Sequence, residues 1–114
     1  MPHFVLDCSQ NITELVSPSK IMETVHAKAV SSNLFDEKNI KVRINSFENY
    51  LTYNTQDDFI HVFANIMEGR NTEQKKLLSK NIIEALNNLF PKVPVISINI
   101  RDFEKSTYCN KSMV

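Results

Sequence analysis

Phe59-Ile60-His61-Val62-Phe63-Ala64-Asn65-Ile66-Met67 alternates without a break, placing Ile60, Val62, Ala64 and Ile66 on one face, and this period of two reads as a strand. Glu68-Gly69-Arg70 then turns the chain. Asn71-Thr72-Glu73-Gln74 resembles a capping box, a side-chain oxygen at the helix cap with a glutamine three residues on. Leu78, Ile82, Ala85, Leu86 and Leu89 recur at helical spacing until Pro91 stops the helix. Val93 to about Asp102 reads as a second strand, so residues 58–105 form a βαβ unit.

The first half, about residues 2–53, has the same order. From Pro2 to Cys8 the chain alternates, with Phe4, Leu6 and Cys8 on one face and His3, Val5 and Asp7 on the other. Ser17-Pro18 gives a helix start: a capping hydroxyl, then a proline whose missing N–H is not needed in the first turn. Ile21, Met22, Val25 and Ala29 form its apolar stripe, and the helix frays near residues 31–33. Ile40, Val42 and Ile44 alternate with Lys41, Arg43 and Asn45 before Phe47 and Leu51 switch faces, which predicts a bulge or bend near Ser46. This internal repeat organises the chain as one domain, residues 1–114.

The fold class expected is therefore α+β: two consecutive βαβ units forming a four-stranded sheet. Right-handed crossovers put both helices on one side of it. The other side is left bare, and because each strand is rich in Ile and Val it is expected to carry apolar residues. Large exposed apolar patches are rare on monomers, so a homo-oligomer covering that side is expected.

Composition excludes several kinds of function. Acidic and basic side chains balance at a formal net charge of +0, which gives no electrostatic footprint for nucleic acid or an anionic membrane. A small neutral or anionic ligand suits the chain better. No apolar stretch approaches the roughly 20 residues needed to span a bilayer, and Asp7, Ser9 and Gln10 break any signal-peptide core. A cytoplasmic location is expected, with Cys8 and Cys109 as free thiols. Gly69 is the sole glycine, which removes glycine-rich phosphate cradles and dinucleotide fingerprints.

Pro2 follows the initiator Met1 directly. If Met1 is removed, Pro2 carries a free secondary amine. An α-amine has a reference pKa of about 7.7 to 8, and burial beside cations disfavours its charged form, leaving a neutral general base near pH 7. If Met1 stays, the Pro2 nitrogen is an amide without a basic lone pair.

Over nearly its whole length the chain resembles the tautomerase superfamily, and within it the 5-carboxymethyl-2-hydroxymuconate isomerases. The opening Met1-Pro2-His3-Phe4-Val5-Leu6-Asp7-Cys8-Ser9-Gln10-Asn11-Ile12 is similar to the start of that isomerase. Ile66-Met67-Glu68-Gly69-Arg70-Asn71-Thr72-Glu73-Gln74 resembles the helix start of the shorter 4-oxalocrotonate tautomerases. The resemblance implies a homotrimer whose sheets face a central axis. It implies a reaction in which the terminal proline, here Pro2, takes the hydroxyl proton of a 2-hydroxydienoate and returns a proton to a distant carbon, with no metal or organic cofactor.

Such chemistry needs cations to hold substrate carboxylates and to stabilise charge developing on the 2-oxygen. Arg43, in Lys41-Val42-Arg43-Ile44, stands where the family places a substrate-contacting strand arginine. Without the resemblance it reads as a surface cation. Arg70 matches the arginine after the glycine at the second helix start, where helix amides also attract anions; otherwise it is a solvated loop cation.

Three departures from the family pattern bear on the substrate. Thr13 stands where a basic residue is common after Asn-Ile, Lys41 replaces an arginine, and Asn45 occupies a histidine position. Ser97 corresponds to Arg43 in the second repeat, which implies one kind of site per subunit. His3 can orient the amine or pack against a neighbour, packing being the commoner role. His26 and His61 have no partner at metal-ligand spacing. Phe47, Tyr50, Phe63 and Phe103 are aromatic candidates for a pocket wall. The expected function is thus a keto-enol isomerase of an unsaturated 2-hydroxy carboxylate such as 5-carboxymethyl-2-hydroxymuconate; the alternatives are a tautomerase of another substrate and a non-enzymatic oligomeric binding protein of the same fold.

Overall fold

The computed structural model describes residues 1–114. Strand β1 (His3–Ser9) is followed by a short helix α1 (Ile12–Leu15), helix α2 (Pro18–Ser31) and strand β2 (Lys41–Phe47). Strand β3 (Phe59–Met67), helix α3 (Thr72–Leu89) and strand β4 (Val95–Phe103) repeat the order. The four strands lie in one sheet in the order β2-β1-β3-β4. Each βαβ pair, β1 with β2 and β3 with β4, is parallel, and the two units meet through the antiparallel β1–β3 pair.

The helix boundaries follow local chemistry. Ser17 caps α2, its hydroxyl accepting the Lys20 amide at 3.3 Å with Pro18 in the first turn. Asn71 and Gln74 form the reciprocal capping box of α3, at 2.8 and 2.9 Å. Before it, Gly69 has φ +119°, a conformation that side-chain-bearing residues rarely adopt. Leu89 ends α3, and Phe90 caps it before Pro91.

Both helices cover the same side of the sheet. Phe4, Leu6 and Cys8 from β1 and Ile60, Val62 and Ala64 from β3 pack against Ile21, Val25 and Ala29 of α2 and Leu78, Ile82 and Leu86 of α3. The outer strands add Val42, Ile44, Ile96, Ile98 and Ile100 to the same layer, half-buried at its margins. No helix is long and apolar enough to cross a membrane.

One expectation is corrected in part. The β1–β2 register runs from His3 against Lys41 to Ser9 against Phe47 without a skipped residue, so there is no bulge near Ser46, and the chain bends only after β2, at Glu48 and Asn49. Phe47 is the last residue of the odd-numbered face, and Leu51 and Tyr53 lie in the exposed loop beyond it. Every strand turns its aliphatic face to the helices, and the bare side carries some apolar residues among polar ones, as expected. Across it run Lys41, His3, Asn65 and Arg101, then Arg43, Val5, Phe63 and Asn99, then Asn45, Asp7, His61 and Ser97. Val5 and Phe63 are the apolar members at its centre, with Phe47, Phe59 and Val95 at one end and Met67 and Phe103 at the other.

Candidate active site

Pro2 lies immediately before β1, and its carbonyl accepts the Lys41 amide at 3.1 Å, which ties the start of the chain to the first residue of β2. The ring is buried, on the helix side by alternation with Phe4. Met1 is attached here, so the free amine is that of Met1. Its basicity is lowered by burial first, then by the charges of Lys41 and Arg70, with Asp36 opposing them. An amine at this end of the sheet is thus biased toward its neutral form.

Arg70 is held firmly. Its guanidinium donates to the Leu34 carbonyl at 2.5 Å and the Met67 carbonyl at 3.2 Å, and it lies 5.1 Å from the Phe35 ring centroid. Phe35 in turn meets Phe4 edge-on at 6.0 Å. The arginine therefore fastens the loop after α2 to the end of β3 while its charge acts on the chain terminus. Two of its five N–H donors are engaged by these carbonyls, and the others remain for a ligand or water.

Arg43 lies across the sheet, on the bare side, where an Nη donates to Nδ1 of His3 at 3.1 Å. These two residues and Asn65 form the floor of an open cleft of about 510 Å³, walled by Phe103, Glu104, Thr107, Tyr108 and Cys109. Pro2 is not among its lining residues. The wall is the segment after β4, folded back with Tyr108 stacked on Phe103 at 5.5 Å and the Lys105 amide donating to the Glu68 carboxylate at 2.7 Å. His3 is less basic than an ordinary histidine because of its burial, then the charges of Arg43, Lys41 and the amino terminus.

The sequence candidates thus fall into two groups around one end of the sheet. By alternation Pro2 lies on the helix side of the chain start, where the Arg70 charge acts on the Met1 amine, and Arg43 with His3 lies on the other, Lys41 acting on both that amine and His3. Of the aromatic candidates, Phe103 alone lines the cleft; Phe63 lies beneath the Arg101 guanidinium at 4.5 Å, Tyr50 packs on Phe59, and Phe47 is exposed. Arg101, Glu104 and Tyr108 carry no functional reading in the sequence analysis above. Arg101 was findable as a cation of the odd-numbered face of the last strand, whereas the fold-back of residues 104–109 had no periodic signal.

At the departures from the family pattern, Thr13 bonds the Gln10 carbonyl, Lys41 Nζ the Asn39 carbonyl and Asn45 the Asp7 carboxylate. Ser97 bonds Nδ1 of His61 at 2.6 Å, and Asn99 bonds its Nε2 at 2.5 Å. No three His, Cys, Asp or Glu side chains converge as metal ligands would. Cys8 is buried and its thiol is pushed up to about 11 by that burial, then by Asp7 and Asp58.

The model of the family described as 5-carboxymethyl-2-hydroxymuconate isomerase matches residues 2–113. The 5-carboxymethyl-2-hydroxymuconate Delta-isomerase of Escherichia coli is 24% identical over 92 residues, which cover 79% of this chain and 73% of the relative. A crystal structure of a 5-carboxymethyl-2-hydroxymuconate isomerase from Deinococcus radiodurans R1 superposes with a TM-score of 0.84 at 20% identity, covering 96% of this chain and 88% of the other. A fused 4-OT wild type symmetric trimer superposes with a TM-score of 0.81 at 12% identity, covering 98% and 94%. At such identities the superpositions establish the tautomerase-like fold. The match across residues 2–113 establishes more: the chain belongs to the 5-carboxymethyl-2-hydroxymuconate isomerase family.

Proposed function

We propose that this chain is a cofactor-independent isomerase that moves a proton in an unsaturated 2-hydroxy/2-oxo carboxylate, with 5-carboxymethyl-2-hydroxymuconate as its substrate and Pro2 as general base and acid. The observation that carries the reading is the chain start itself. Pro2 immediately precedes β1 in a member of this family, next to the Met1 amine, whose protonated form burial and the Lys41 and Arg70 charges disfavour.

With Met1 removed, the Pro2 nitrogen takes the proton of the substrate 2-hydroxyl and the resulting ammonium returns one to the far carbon of the diene. Arg43 receives a substrate carboxylate in its planar fork, and Arg70 contributes charge and its remaining donors beside the amine. Alternation from Phe4 sets Pro2 on the side of the sheet opposite Arg43, which supports a site completed by another copy of the chain. The fused 4-OT trimer is built on this fold. We place the bare sheet side at the centre of a homotrimer acting in the cytoplasm, Val5 and Phe63 supplying its apolar contacts.

Tautomerisation of 2-hydroxymuconate and 5-carboxymethyl-2-hydroxymuconate, followed by ultraviolet absorbance on protein whose intact mass shows Met1 removed, tests the reading. Pro2→Ala should lose about a hundredfold or more in turnover, the range a positioned base supplies. Undiminished turnover refutes the base assignment. Absence of both activities in Met1-free wild type, with retained binding of the carboxylates, favours a binding protein of the same fold.

A further inference from the structure

The His3–Arg43 contact has a chemical direction. A guanidinium only donates hydrogen bonds, so the His3 Nδ1 facing it at 3.1 Å must present a lone pair. The imidazole is then neutral with its proton on Nε2. Both side chains stand on the cleft floor, His3 from β1 and Arg43 from β2, with no other side-chain bond to Arg43. An arginine on an edge strand would otherwise sample many rotamers and lose entropy on each binding event.

We propose that His3 is a positioning residue for Arg43: its neutral, Nε2–H imidazole accepts the guanidinium N–H at Nδ1 and fixes the fork over the cleft for a substrate carboxylate. This rests on the carboxylate-binding role of Arg43 set out above. The groups facing His3 are Arg43 and Lys41 from β2, the amino terminus, and Glu104, Tyr108 and Cys109 across the cleft. β3 contributes the uncharged Asn65, and β4 contributes Arg101 in the same row, stacked on Phe63. Arg43 and Lys41 are cations close to the ring, which favours the neutral imidazole. Acid reverses the arrangement. A proton on Nδ1 removes the acceptor and sets two cations against each other, so Arg43 swings free.

The test compares pH profiles of KM and kcat for wild type, His3→Asn, His3→Leu and Arg43→Ala in the isomerase assay. Asparagine carries its amide oxygen at the same δ position as Nδ1 and does not titrate. Wild-type KM should rise as pH falls through a point below the ordinary histidine value of about 6.5. His3→Asn should keep the neutral-pH KM and lose that rise, while His3→Leu should raise KM roughly three- to tenfold at every pH with kcat less affected, the loss expected for one partly exposed bond to a charged donor. An acid rise persisting in His3→Asn, or a wild-type KM in His3→Leu, overturns the inference. A raised KM in Arg43→Ala beside a wild-type KM in His3→Leu leaves the carboxylate role standing and sinks only the positioning role; an unchanged KM in Arg43→Ala sinks both. Imidazole ¹⁵N shifts give a readout without substrate. The Nε2–H tautomer is expected in wild type, with the His3 titration moving upward in Arg43→Ala, and an Nδ1–H tautomer would overturn the pairing.

Discussion

Arg70→Ala should cost the fold more than any other single charge removal near the chain start. The substitution deletes two charge-assisted bonds, to the Leu34 and Met67 carbonyls, and the contact over Phe35. A bond to a charged group contributes about 1.5–3 kcal/mol and an exposed cation–π contact about 0.5–1 kcal/mol. Arg70 is half-buried, so water can reach the vacated carbonyls and the sum must be discounted to about 2–3 kcal/mol. With a urea slope of about 1.5–2 kcal/mol/M for a small domain, the midpoint should fall by roughly 1–2 M. Circular dichroism against urea at one fixed protein concentration reads this, because any self-association makes stability concentration-dependent. Arg70→Lys should recover little, since an ammonium is a point donor that cannot bridge two carbonyls lying apart. Both variants falling by less than about 0.5 kcal/mol would refute the clamp and leave Arg70 a free cation. The same substitution bears on catalysis with a definite sign. Removing a positive charge favours the protonated terminal amine, so the low-pH limb of the rate profile, where the amine loses its proton, should move to higher pH in Ala and stay near wild type in Lys.

Asn71→Ala should destabilise by about 1 kcal/mol through loss of the α3 capping box, and Asn71→Asp should retain most of it, by thermal melting. Ser9→Ala should cost about 1–3 kcal/mol, because the buried Ser9 hydroxyl donates to Asp58 at 2.8 Å and accepts the Phe59 amide at 3.2 Å; a loss under 0.3 kcal/mol would show that water replaces it. A disulfide reagent at pH 8 should titrate Cys109 promptly in the native protein and Cys8 only after denaturation, since Cys8 is buried with its thiol near 11; two fast thiols would contradict its enclosure. That raised value also sets an alkaline stability limb. The contribution is present below the unfolded thiol value of about 8.5 and is lost as pH rises toward 11, so Cys8→Ala should flatten stability across that window.

The two βαβ units were legible because local chemistry and long-range packing agree. Ser17, Asn71 and Gln74 cap helices whose stripes meet strands with matching apolar faces, and each level of the sequence points to the same element. The bulge near Ser46 failed for a specific reason. Apolar residues at Phe47 and Leu51 looked like a change of face, whereas they mark where β2 leaves the sheet and the chain enters an exposed loop. The mixed character of the bare side follows from the same pattern. A strand rich in Ile and Val has one aliphatic face, the helices take it in all four strands, and the remaining positions are polar residues such as Lys41, Arg43, Asn45, Asp7, His61, Ser97 and Asn99 interspersed with Val5, Phe63, Val95 and Phe103.

The site is less legible because its parts depend on side-chain direction across a pleated sheet. Sequence order sets Pro2 beside His3, and the pleat sends them to opposite sides, with only His3 turned toward Arg43. The separation bears directly on the catalytic reading. A proline amine and a carboxylate-binding fork on two sides of one sheet can serve one substrate only when the fork, or a second arginine, arrives from a neighbouring subunit. Monomeric protein with full isomerase activity would break this chain of reasoning at its central link, and sedimentation at assay concentration is the measurement that decides it.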